Sequence, residues 1–131
     1  MGKKIFLFFA FIISQISFSQ NHQLSENTTI SILTCGRGSE LYSTFGHTAL
    51  RIKDEVNQLD VVYNYGMFDF RDENFYLKFV KGDLQYFMNA TSFEDFILEY
   101  QMDEREVLEQ KISLTIQQKQ ELFNRLNENL F

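Results

Sequence analysis

Cys35 is the only cysteine among the 131 residues, so no disulfide can form within the chain. Whatever fold the chain adopts must be held by buried apolar surface alone. The constraint bites because the first twenty residues carry the marks of export. Lys3 and Lys4 give a positive start, Ile5–Ile13 is an apolar run, and Ser14, Gln15, Ser17 and Ser19 that follow are more polar. Ser17-Phe-Ser19 fits the small-x-small rule for signal cleavage, with Gln20 as the new N-terminus. The run of nine apolar residues is short of the ~20 that span a bilayer. Cys35 lies too far from that run to serve as a lipid attachment site. The expectation is a signal peptide over 1–19, a flexible leader over 20–28 and one domain over 29–131. Its place is periplasmic or secreted, with no transmembrane anchor after cleavage. A disulfide-free exported domain suits a bacterial periplasm better than an animal extracellular space.

Charge excludes some partners. Lys3 and Lys4 are the only charged residues of the signal, so the rest of the chain holds 10 of its 12 basic residues and all 18 acidic ones. Such a balance does not suit nucleic acid or an anionic membrane surface. With 44% hydrophobic residues, 15 Phe and 6 Tyr, the chain has the material for one core.

The pattern along the chain mixes two periods. Ile30–Leu33 reads as a strand that stops at the turn Cys35-Gly-Arg-Gly38, and Ser39–Gly46 as a helical turn with Ser39 as N-cap. His47–Ile52 alternates like a strand, 53–58 is a hairpin loop, and Val61–Tyr65 is the return strand. Asp72 is placed to cap a helix over 73–81 closed by Gly82, and 84–88 reads as another strand. Thr91-Ser-Phe-Glu94 has the form of a capping box ahead of Phe93, Phe96, Ile97 and Tyr100 at helical spacing. A strand over 106–114 follows, then a final amphipathic helix opened by Thr115-Ile-Gln-Gln118, with Leu122, Phe123, Leu126 and Leu130 on one face. These segments predict an α+β fold, a small antiparallel sheet with helices packed on one face. The apolar stripe runs to Leu130 and Phe131 without a stop signal, which predicts that the domain continues beyond them.

Chemistry concentrates between residues 40 and 52. On a strand, His47, Ala49 and Arg51 share a face, with Thr48, Leu50 and Ile52 on the other. An imidazole beside a guanidinium suits a general base with an anion clamp. The plainer reading is a histidine bonded to a backbone group at a strand start, with Arg51 as a solvated edge residue. Cys35 has a parallel choice, between an exposed nucleophile at a glycine turn and a small apolar residue ending a core strand. The only other histidine, His22, falls in the leader, so neither a metal set nor a cofactor site is expected. Gly36-Arg-Gly38 lacks the further glycine and lysine of a phosphate loop.

Thr34-Cys-Gly-Arg-Gly-Ser-Glu-Leu-Tyr-Ser-Thr-Phe-Gly-His-Thr-Ala-Leu-Arg-Ile52 resembles the opening motif of the Lnb N-terminal periplasmic domain, a bacterial family long catalogued without a function. Asp60–Phe70, Asn74–Gly82, Phe93–Phe96 and the 114–126 helix resemble its later blocks. The resemblance implies a circularly permuted relative of papain-type, NlpC-like amidases and acyltransferases. It implies His47 as the base, Arg51, Asn64 and Tyr65 as substrate-binding candidates, and a nucleophilic cysteine in a later Asn-Cys block. No residue of this chain matches that cysteine, and Cys35 is not at its position. The implied function is the N-terminal part of an exported cysteine-dependent amide or ester hydrolase, acting on a cell-envelope small molecule, peptide or glycan. The alternative is a non-catalytic accessory module that binds a glycan or a partner protein.

Overall fold

The computed structural model describes residues 22–130; the expected signal peptide and the first two residues of the leader lie outside the described residues. Five strands form one sheet: β1 (Thr29–Cys35), β2 (His47–Asp54), β3 (Leu59–Met67), β4 (Phe87–Ser92) and β5 (Val107–Ile112). Their order across the sheet is β4-β3-β2-β1-β5, and every neighbouring pair is antiparallel. Three helices complete the fold: α1 (Phe75–Lys81), α2 (Phe93–Met102) and α3 (Ile116–Glu128). The α+β class and the antiparallel sheet are as the sequence predicts.

The helices are not on one face, and this corrects the expectation. Cross-strand register puts Ile30, Ile52 and Val61 in one row and Leu33 and Ala49 in another. Ile30, Ile52 and Tyr63 pack with Phe123 and Leu126 of α3. Leu33, Cys35, Ala49 and Val62 pack with Phe96 and Tyr100 of α2. The three central strands are therefore apolar on both sides, and a two-sided sheet needs a cover on each side. Each large side chain so buried contributes about 1.5–3 kcal/mol. Because α2 connects β4 to β5, the two edges of the sheet, it must cross the face it covers.

Local signals set the ends of the elements. Thr115 caps α3 through its side chain and Gln118 reciprocates on the Thr115 backbone N–H, a complete capping box. Gly82 closes α1 in the left-handed conformation. For α2 the cap is Ser92, whose Oγ accepts from Asp95 N at 3.0 Å, one residue after the predicted start. Thr91 instead belongs to β4, which runs from 87 to 92 and not from 84 to 88. Leu84 is buried in the connection before it.

Candidate functional site

The chain reaches the site through the turn between β1 and β2. Gly36 N donates to Glu106 O at 2.8 Å and Gly38 N to Ser43 O at 3.0 Å, folding 36–46 back on itself around a single 3-10 turn at Leu41–Ser43. Gly46 then adopts a φ of +79°, where a Cβ would stand 2.5 Å from Cys35 O. Only glycine fits so close to the neighbouring strand in that conformation. The turn delivers His47 to the start of β2, opposite Cys35.

His47 and Asn64 share the α2 face of the sheet, on adjacent strands. His47 Nε2 lies 3.1 Å from Asn64 Oδ1. An amide oxygen can only accept, so Nε2 carries the hydrogen, and in the neutral ring Nδ1 is then the nitrogen with the free lone pair. Asn89, the partner of Asn64 across the sheet in β4, has a buried Oδ1 without a hydrogen bond among the described residues.

His47 and Asn64 line a cavity of about 160 Å³. Its aromatic wall is Tyr42, Phe68 and Phe70, whose rings meet edge to face with Tyr42 centroids 5.6 and 4.8 Å from the two phenylalanines. Phe75 of α1 backs this wall, 5.0 Å from Phe68. From α2 come Phe96, Glu99 and Tyr100, which helical spacing places on one face. Arg105 completes the lining. Burial raises the pKa of the Tyr42 and Tyr100 hydroxyls, making both weaker acids and keeping them as neutral hydrogen-bonding groups.

The candidates named from the sequence separate. His47 and Asn64 come together in the cavity. Arg51 shares their face but does not line that cavity. It forms a bidentate pair with Asp60 at 2.8 and 2.7 Å, reaches Glu109 at 3.2 Å and lies 3.3 Å above the Phe93 ring. Asp60 pushes the Arg51 guanidinium further up than its ordinary value, so it stays a cation within this network. Tyr65 follows Asn64 directly and so points to the opposite face. There its hydroxyl accepts from Asn129 Nδ2 at 3.1 Å, at the end of α3. Cys35 is buried; burial pushes its thiol up, with the Tyr100 hydroxyl and the Arg105 charge acting the other way.

Tyr42, Glu99, Tyr100 and Arg105 were not legible as site residues. Tyr100 reads from its spacing as a core residue, and nothing local connects 105 to 47. Among the described residues, no three His, Cys, Asp or Glu side chains gather as a metal site would require.

No curated protein and no solved structure matches this chain. No helix among the described residues is long and apolar enough to cross a membrane. The family model that does match describes a periplasmic domain and spans residues 15–129, which takes in the β1–β2 turn, the His47–Asn64 pair and every element of the sheet. The chain belongs to the Lnb N-terminal periplasmic domain family.

Proposed function

We infer that His47 is the general base of a cysteine-dependent hydrolase or acyltransferase acting on amide or ester bonds in the cell envelope. The hydrogen bond from His47 to Asn64, set in a cavity, carries this reading. With Nε2–H held by the amide oxygen, Nδ1 is the atom that takes a proton from a thiol. The thiolate then attacks the carbonyl carbon, the amine or alcohol leaves with the proton from the imidazolium, and water or an acceptor amine resolves the thioester. Cys35 is the wrong thiol for this, being buried, less acidic than usual and closed over by Tyr100. In this reading the nucleophile is the cysteine of the family's Asn-Cys block.

The test uses the protein as its own cells make it, purified and assayed on short-chain p-nitrophenyl esters and on acylated peptides. His47→Ala should lower kcat/KM by 100-fold or more, and Asn64→Ala by about tenfold. Undiminished turnover in the His47→Ala protein would refute the reading.

One observation favours a second reading, a binding module without catalysis. Phe70, Tyr76 and Tyr86 are each about half exposed, at 54%, 55% and 51%, beside the aromatic wall. Such rings can stack on sugars. Glycan affinity that survives His47→Ala, with no hydrolysis by the parent protein, would select this module.

A further inference from the structure

Arg105 owes its position to how α2 stops. Asp103 caps the helix, Glu104 turns left-handed at a φ of +53°, and Arg105 N donates back to Tyr100 O at 2.9 Å. This doubling-back lays the side chain over its own helix. The guanidinium carbon stands 4.6 Å from the centre of the Tyr100 ring, and Nε donates to Gly36 O at 2.9 Å. One edge and one face of the guanidinium are thereby fixed. Its two terminal nitrogens have no hydrogen-bond or ion-pair partner among the described residues.

Arg51, Arg71 and Arg125 each hold a carboxylate, and the exposed Arg37 has no ion-pair partner among the described residues. Arg105 holds none, although its neighbours Asp103, Glu104 and Glu106 are acidic and Glu99 lines the same cavity. Its charge is felt at Cys35, Tyr42 and Tyr100, where it opposes the effect of burial. A planar guanidinium held at one edge, with both terminal nitrogens unpaired, matches the two oxygens of a carboxylate or phosphate.

We propose that Arg105 is the anion-binding group of the His47 cavity, taking a carboxylate or phosphate oxyanion of the substrate on its two terminal nitrogens. The proposal rests on the reading of this cavity as the substrate site and moves the clamp role from Arg51 to Arg105. Arg105 is then a specificity-determining residue: it selects substrates that carry an anionic group near the bond presented to His47. In a chain of net charge −6, this selection comes from one local cation and not from the overall field.

The experiment titrates acetate, and separately methyl phosphate, into isotope-labelled protein at fixed pH and ionic strength. The Arg105 Nε–H and His47 ring signals are followed by NMR. Saturable shifts are expected with at least one of the two ions, and which ion saturates at lower concentration tells carboxylate from phosphate recognition. Arg105→Gln should weaken the His47 response by tenfold or more, and Arg105→Lys should retain part of it. Amide spectra of the sheet show that each variant is folded. No saturable shift in the parent protein, or an unchanged His47 response in a folded Arg105→Gln protein, overturns the proposal. His47→Gln separates the two readings. Anion shifts at Arg105 that persist in this variant support the clamp even where no hydrolysis is found, whereas shifts that vanish with the imidazole overturn it.

Discussion

Gly46 is where a single side-chain atom has most leverage on the site. Its positive φ and the 2.5 Å approach to Cys35 O leave no room for a Cβ. Gly46→Ala should cost at least ~2 kcal/mol, from left-handed strain and the clash together, and displace His47. A thermal melt, with the His47 ring signal read on the same sample, checks both effects. Cys35 makes the opposite prediction, that little happens. At 3% exposure and with its thiol pushed up by burial, it should react with a thiol reagent far more slowly than in denatured protein. Labelling as fast in the folded state as in denaturant would restore Cys35 as a nucleophile candidate.

Among the elements, α3 was the most readable from sequence and α2 the most informative once folded. The Thr115–Gln118 capping box is local chemistry, so its position is fixed by residues within one turn. Thr115→Ala should remove about 1 kcal/mol and lower the melting temperature by roughly 4 °C, measured calorimetrically. The start of α2 shifted by one residue because Thr91 and Ser92 are both competent caps. Pairing of Thr91 with Val62 and of Ser92 with Val61 draws both backbones into β4, which leaves the later one as the cap. The same pairing explains why β4 starts three residues later than the expected strand at 84–88 and runs on to Ser92. An edge strand takes its register from its partner, not from its own hydrophobicity.

At the scale of the whole molecule, Asp54 ties the leader to the hairpin between β2 and β3. Its buried carboxylate accepts from Ser25 N and Oγ at 2.7 Å each, from Val56 N and Asn57 N, and from Asn57 Nδ2 at 2.7 Å. Burial alone would raise its pKa, but the bonds from Ser25 and Asn57 outweigh that and hold it well below 3.8. A carboxyl depressed on folding stabilises the native state above its unfolded value and loses that contribution as pH falls toward its folded one. The protein should therefore lose stability progressively below about pH 4. Asp54→Asn should be less stable at pH 7 by about 2–3 kcal/mol and show a flatter acid limb. Urea melts between pH 2.5 and 7 measure both; parallel curves for the two proteins would refute the assignment.

The sequence by itself determined the α+β class, the three inner strands, the last helix and the place of His47 at the start of an inner strand. Each of these is written in alternation, capping or side-chain chemistry over a few neighbouring residues, or in motifs the family shares. Only the tertiary structure decided that the helices cover both faces, because which strand rows meet depends on register across the sheet. It also decided that Asn64 and not Tyr65 faces His47, since one step along a strand reverses the side chain. Arg51 and Arg105 differ for the same kind of reason. Both are single arginines in mixed surroundings, and only the packed fold gives one to Asp60 and Glu109 and leaves the other, in the lining of the cavity, without a carboxylate partner among the described residues.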